Sequence, residues 1–222
     1  LVGNIGKACF DEIDAMEKGA LAAFEISCHQ LEFCPYSPHV GVYLNLYEEH
    51  LDHYGTLEKY GNAKFHVVQN QTKDDIAILW EQLPQYISQL SQKTVLIGRD
   101  IFAQEKVLHI PGQVLSIEEC ALIGAHNYQN LAVAYYIANL YGVNDEQVID
   151  ACKKFVPLHH RLEDLGVLDG IRYVNDSIST IGQATIQALR SISDVDTVLV
   201  GGMDRGISYT ELETKKKNRT DV

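Results

Sequence analysis

The residues from 45 to 64 hold the first chemistry that the sequence offers. Asn45-Leu46-Tyr47-Glu48-Glu49-His50-Leu51-Asp52-His53-Tyr54 gathers imidazoles and carboxylates in one short stretch, and Lys64 follows on a stripe marked by Tyr60, Ala63, Val67 and Val68. Imidazole beside carboxylate suits a divalent cation, although His50, Asp52 and His53 in a turn equally suit an ordinary polar surface. Lys64 lies four residues after Tyr60 and four before Val68, so it faces the same way as those apolar side chains. A lysine is almost never fully buried without a partner. Two readings stay open: a stem laid on the core with its ammonium in water, or an amine aimed into a polar cleft shared with His50.

Two further groups have chemical potential. Glu25 lies near the end of the apolar run Ala20 to Ile26, where a carboxylate needs a cation, a helix N-terminus or a structural hydrogen bond. Asn127 and Asn130 stand one turn apart, where their amides could read a nucleobase edge or cap a helix.

These side chains need elements to hold them. Thr56 reads as an N-cap with Glu58 in the first turn, which predicts a helix from near Leu57. The run Val40 to Leu46 reads as a strand delivering the Glu-His-Asp knot at its carboxyl end. A helix through Ile13 and Met16, a buried strand over Ala20 to Ile26, a strand at Ile76 to Leu79 and a helix around Tyr86 to Leu90 are expected. Strands at Thr94 to Ile97, Val107 to Ile110 and Val114 to Ile117 should form a small peripheral sheet, with Pro111-Gly112 turning between the last two. A long helix runs from about Gly124 to Tyr141 with Gly142 at C′, and the next opens on a capping box of Asn144 and Gln147.

Pro157 suggests a boundary, giving units of residues 1–157 and 158–222. The second begins with a hairpin turning at Asp169-Gly170, continues through Asn175-Asp176-Ser177-Ile178-Ser179-Thr180 into a helix, and then a buried strand at Val195 to Val200. Strand, polar loop, helix and strand make the start of a doubly wound unit, so the fold class is α/β: a mixed or parallel sheet domain, then a shortened Rossmann-like one.

The 222 residues carry a formal net charge of −12, which disfavours non-specific nucleic-acid binding. The Lys215-Lys216-Lys217 and Arg219 cluster reads as a solvated helix face or tail. No run reaches membrane-spanning length and no signal-peptide layout opens the chain, so cytoplasm is the expected compartment and no membrane partner is expected. The five cysteines form no Cys-x-x-Cys pair and are expected reduced.

Taken together, the motifs resemble the Mur ligase family, and within it the branch that adds D-glutamate. They are Gly3-Asn4-Ile5-Gly6, Glu25-Ile26-Ser27 with Gln30-Leu31-Glu32, Glu49-His50-Leu51-Asp52, Ala63-Lys64, His126-Asn127-Tyr128 with Asn130, His160-Arg161 with Glu163, Asn175-Asp176-Ser177, and Gly201-Gly202. The resemblance implies an ATP-dependent amide ligase of peptidoglycan precursor synthesis. Its substrates would be ATP, D-glutamate and UDP-N-acetylmuramoyl-L-alanine, and it would act as a monomer. It implies two magnesium sites, with Glu25 at one and His50 and a carbamylated Lys64 at the other, these three being the catalytic group. It places Asn127 and Asn130 at adenine, Arg161 near the phosphates and Asp176 at the ribose. Asn4 and His50 would contact the muramoyl substrate, and Thr180 and Arg205 D-glutamate.

The chain departs from the family's better-known pattern at Ile178 and Arg205, where that pattern has lysine. No Gly-x-x-Gly-Lys-Ser/Thr loop occurs in it, because Gly6-Lys7 is followed by Ala8. The expectation is that these residues alone have little ligase activity. Three other readings remain: a folylpolyglutamate-synthase-like ligase, a non-catalytic nucleotide- or partner-binding remnant, and a metal-dependent phosphoesterase using His50, Asp52 and His53.

Overall fold

A computed structural model describes residues 1–4, 6–203 and 206–218. In chain order the elements are β1 (Val2–Gly3), α1 (Cys9–Glu12), β2 (Phe24–Glu25), α2 (Cys28–Leu31), β3 (Val40–Tyr43), α3 (Leu51–Tyr54), α4 (Leu57–Gln69), β4 (Ile76–Trp80) and α5 (Pro84–Ile87). They continue with β5 (Lys93–Ile97), β6 (Phe102–Gln104), β7 (Val107–Ile110), β8 (Gln113–Ser116), α6 (Ala125–Leu140), α7 (Asp145–Lys154), β9 (Glu163–Leu168), β10 (Ile171–Asn175), α8 (Gly182–Ser191) and α9 (Thr210–Asn218). No helix among the described residues is long and apolar enough to cross a membrane.

The centre is a parallel sheet in the order β3-β4-β5. Side chains alternate across β4 as strand geometry requires. Ala77 and Leu79 join Tyr43, Phe65, Val67 and Val68 under α4, while Ile78 points to the opposite core with Val95, Ile97, Ala132 and Tyr135. Burying one such isoleucine contributes roughly 1.5–3 kcal/mol. Beyond this second core lies an antiparallel sheet, β6-β7-β8, against which α6 packs. The strand at 93–97 thus belongs to the parallel sheet, not to the peripheral one expected from its sequence. Its register with β4, Ile76 opposite Lys93 through Trp80 opposite Ile97, is set by non-local pairing.

The helix ends follow local chemistry. The Thr56 side chain accepts from the Lys59 amide at 3.2 Å, and the Asn144–Gln147 capping box closes in both directions. After α6, the Gly142 amide donates to the Asn139 carbonyl and the Val143 amide to the Ala138 carbonyl, a Schellman close with Gly142 at φ 78°. Asp169 and Gly170 both have positive φ, as a type I′ turn requires.

Three expectations are corrected. Residues 20–26 form only the two-residue strand β2, exposed and paired with β1, so Glu25 is not buried. The first helix is one turn of α-helix and a 3-10 turn, with Ile13 and Met16 exposed. Residues 195–200 are not a strand, and Leu199 is 95% exposed. Apolar residues in a row become a buried strand only where another strand offers its edge. Among the described residues β9 and β10 pair only with each other and β2 only with β1. No Rossmann-like sheet is therefore formed by the described part of residues 158–222.

Candidate active site

Lys64 is placed by the helix that carries it. With α4 started at Thr56, position 64 faces the sheet, where the ammonium donates to the Asn45 carbonyl at 2.9 Å and lies 5.2 Å from the ring centres of both Tyr43 and Tyr60. Burial holds its pKa below the ordinary lysine value, while the Cys28 thiol and the Glu49 carboxylate push the other way. The side chain is half-buried, and its ammonium is held on a carbonyl rather than left free in water. The stem crosses the core edge and the nitrogen ends in a cage of two aromatic faces and a carbonyl.

His50 sits on the loop that leaves β3. Its backbone is left-handed, φ 55°, where it serves as the N-terminal flank of α3. That conformation is uncommon for a residue with a Cβ and reverses the chain. The His50 ring lies 5.9 Å from the Tyr60 ring, so His50 and Lys64 flank the same phenol. Burial and then Glu49 raise the Tyr60 pKa. His29, which the sequence reading passed over, stands between the loop histidines, its ring 4.9 Å from those of His50 and of His53. His53 instead turns outward to Glu32, Nε2 to Oε2 2.9 Å. The Tyr54 hydroxyl is buried beside the Cys28 thiol and, among the described residues, has no oxygen or nitrogen partner.

Glu25 and Asn4 are neighbours through the β1–β2 pairing, the Asn4 amide donating to the Glu25 carbonyl at 2.8 Å. Gly3 makes this approach possible. Its φ is +116°, and a Cβ there would lie 2.1 Å from the Glu25 oxygen. The Glu25 carboxylate is exposed and makes no hydrogen bond or ion pair among the described residues. A capping box of Ser27 and Gln30, unrecognised in the sequence, then opens α2.

Among the described residues, no three His, Cys, Asp or Glu side chains converge as a ready metal cage. The Glu25, His50 and Lys64 set contains only two such groups. Magnesium takes oxygen ligands, so the Glu25 carboxylate suits it as it stands and Lys64 would suit it only once it carries oxygen. The lowered pKa fits that requirement, since only the neutral amine adds to carbon dioxide.

A second group lies at the start of α6. Asn127 is buried and donates Nδ2 to the Ile123 carbonyl at 2.7 Å; Asn130 is exposed. Burial lowers the His126 pKa, with Asp176 raising it and Arg161 lowering it, so the three side chains share one neighbourhood. The Asp176 carboxylate accepts from the Leu162 amide at 3.0 Å and from the Ser179 hydroxyl at 2.5 Å. Arg161 is exposed. Thr180 reaches the first group: its hydroxyl donates to Glu49 Oε1 at 2.9 Å. Arg205 lies outside the described residues.

Comparison with known proteins matches residues 9–138 to the Mur ligase middle domain. The chain is 29% identical, over 99% of its length and 50% of that protein's, to the UDP-N-acetylmuramoylalanine--D-glutamate ligase of Ligilactobacillus salivarius. It is 33% identical, over 96% of its length and 50% of that protein's, to the enzyme of the same name from Geobacillus kaustophilus. It spans about half the length of the curated relatives it matches. Its fold is similar to MurF from Acinetobacter baumannii, with a TM-score of 0.59 and 20% identity over 71% of this chain and 38% of that one. It is also similar to a point mutant of L. casei FPGS, with a TM-score of 0.53 and 15% identity over 70% of this chain and 42% of that one. With its middle-domain match covering more than half of its residues, the chain belongs to the Mur ligase family.

Proposed function

We propose that this chain is the central part of a ligase that uses ATP to join D-glutamate to UDP-N-acetylmuramoyl-L-alanine. The observation that carries the reading is the length of the match: relatives bearing that activity in their names align over 96–99% of these residues.

The substrate carboxylate would be phosphorylated by ATP, and the amine of D-glutamate would displace phosphate from the acyl phosphate through a tetrahedral intermediate. Carbamylation of Lys64 would form one N–C bond to carbon dioxide and release one proton. Glu25 would then serve one magnesium site and His50 with the carbamylated Lys64 a second, and the ions when bound would neutralise charge on the transferred phosphoryl oxygens. The Tyr43 and Tyr60 rings and the Asn45 carbonyl orient the Lys64 nitrogen. Asn127 and Asn130 would meet adenine, Asp176 the ribose and Arg161 the phosphates. Asp176 also shapes that region itself, because both of its oxygens hold backbone or hydroxyl donors of the loops around it. Asn4 and His50 would bind the muramoyl substrate. Thr180 and Arg205 would bind the acceptor, the arginine in a two-pronged contact that lysine cannot make. Residues 158–222 would open the family's C-terminal domain, and the chain near Pro157 would act as the hinge.

The test is phosphate release and product mass with the whole ligase of which these residues would be the central part, ATP, magnesium, UDP-N-acetylmuramoyl-L-alanine and a panel of amino acids. A single new amide with D-glutamate is expected. Turnover with L-glutamate on a folate acceptor, and none with the muramoyl substrate, would move the chain to the other amide-forming branch.

A further inference from the structure

Glu49 belongs to none of the roles assigned above, yet it lies where three of them meet. One of its carboxylate oxygens accepts the Thr180 hydroxyl at 2.9 Å, across 131 positions of sequence. In the chain it directly precedes His50, whose ring lies 5.9 Å from that of Tyr60. It therefore stands between the Lys64 and His50 group, where the acyl donor's carboxylate is to be activated, and Thr180, on the acceptor side.

The acceptor brings a particular difficulty to that place. D-glutamate arrives with two carboxylates and one ammonium, and the ammonium nitrogen, after losing a proton, is the atom that must attack the acyl carbon. Cationic or hydroxyl groups such as Thr180 hold carboxylates and leave the nitrogen free to turn away. An anion beside Thr180 fixes the opposite end. Glu49 has this character: Oε1 is engaged by Thr180, Oε2 makes no hydrogen bond among the described residues, and the side chain is partly exposed.

We propose that Glu49 binds the α-ammonium of the incoming amino acid and, through Thr180, aligns it with the acyl donor. This rests on the D-glutamate-ligase reading. The charge-assisted contact selects an acceptor with a free amine over the same dicarboxylate without one.

The experiment compares wild type, E49Q, E49D and T180V in the whole ligase, measuring KM for each substrate and inhibition by glutarate, which is D-glutamate without its amine. The expected result is that E49Q raises KM for D-glutamate tenfold or more, with KM for ATP and for the muramoyl substrate within twofold and glutarate inhibition within twofold. E49D recovers most of the loss. T180V, which keeps the anion but loses the hydroxyl, weakens D-glutamate and glutarate together. E49Q leaving KM for D-glutamate within twofold, or weakening D-glutamate and glutarate equally, overturns the proposal. Wild-type protein without turnover on D-glutamate removes the ligase reading and this inference with it, an outcome distinct from normal wild-type turnover and an indifferent E49Q.

Discussion

Gly61 and Tyr86 touch so closely that a Cβ on Gly61 would stand 2.3 Å from the Tyr86 hydroxyl oxygen and 2.9 Å from a methyl of Leu46. The contact lies one turn before Lys64 on α4 and sets how near that helix comes to the sheet. Alanine would return about 1 kcal/mol of helix propensity, but forced repacking of a filled core costs about 1–3 kcal/mol. G61A is therefore expected to lower stability in urea titration, and Y86F in the same chain to recover part of the loss. A G61A protein as stable as wild type would mean that Tyr86 moves freely, which its burial opposes.

Lys64 predicts a pH effect of definite sign. Its folded pKa is depressed by burial, so the unfolded chain binds more protons than the folded one between that value and the ordinary lysine value. Stability should rise with pH through this window as the buried ammonium is relieved of its charge. Thermal melting from pH 7 towards pH 10 in carbon-dioxide-free buffer should show this rise in wild type and lose it in K64M. Parallel profiles for the two would sink the assignment of the penalty to Lys64.

At the other end of the sheet, Asp75 ties the loop before β4 to the start of β3. It accepts from the Thr72 amide at 2.6 Å and the Thr72 hydroxyl at 2.9 Å, and pairs with His39 at 2.8 Å. The Thr72 amide, then His39 and the Thr72 hydroxyl, hold its pKa below the usual carboxylate value. Its contribution is present above the unfolded carboxylate pKa and is lost as pH falls through the lower folded value. D75N should melt earlier at neutral pH and converge with wild type in acid; a constant gap down to pH 2 would contradict this.

Asp176 has two duties that can be separated. Its oxygens fix the Leu162 amide and the Ser179 hydroxyl, and Leu162 itself is held at φ 47°, a strained value for leucine. D176A should speed hydrogen exchange at the Leu162 amide and weaken ADP binding about tenfold. D176N, which keeps an acceptor oxygen, should restore the slow exchange while leaving part of the nucleotide defect. If D176N restores both fully, the residue acts on the nucleotide only through the loop.

How much of this was legible in the sequence depends on how local each signal was. Thr56, Asn144 with Gln147, Gly142 and the Asp169-Gly170 turn each act within a few residues, and each does in the structure what its type suggests. Lys64 was legible as inward-facing because helical spacing fixes direction. Failures came where pairing decides. Residues 195–200 and 20–26 have strand composition but lack strand neighbours among the described residues, and 93–97 looked peripheral until its register with β4 placed it centrally. The Glu49–Thr180 contact could not be read from spacing at all, since 131 residues separate its partners. His29 was overlooked for a similar reason: its meaning lies in the two rings it stands between, on another element.

The β9–β10 ribbon has a consequence for handling the protein. It shows Leu165, Val167, Leu168, Ile171 and Tyr173 to solvent, and among the described residues neither strand has a second partner. A two-stranded ribbon is marginal on its own, and its bare backbone edges are templates for any extended segment that meets them. Concentrating the protein should therefore drive copies together edge to edge at this ribbon, leaving the Lys64 cage unaffected. Val167→Lys would set like charges side by side in such a stack, and should extend the concentration range over which light scattering stays flat.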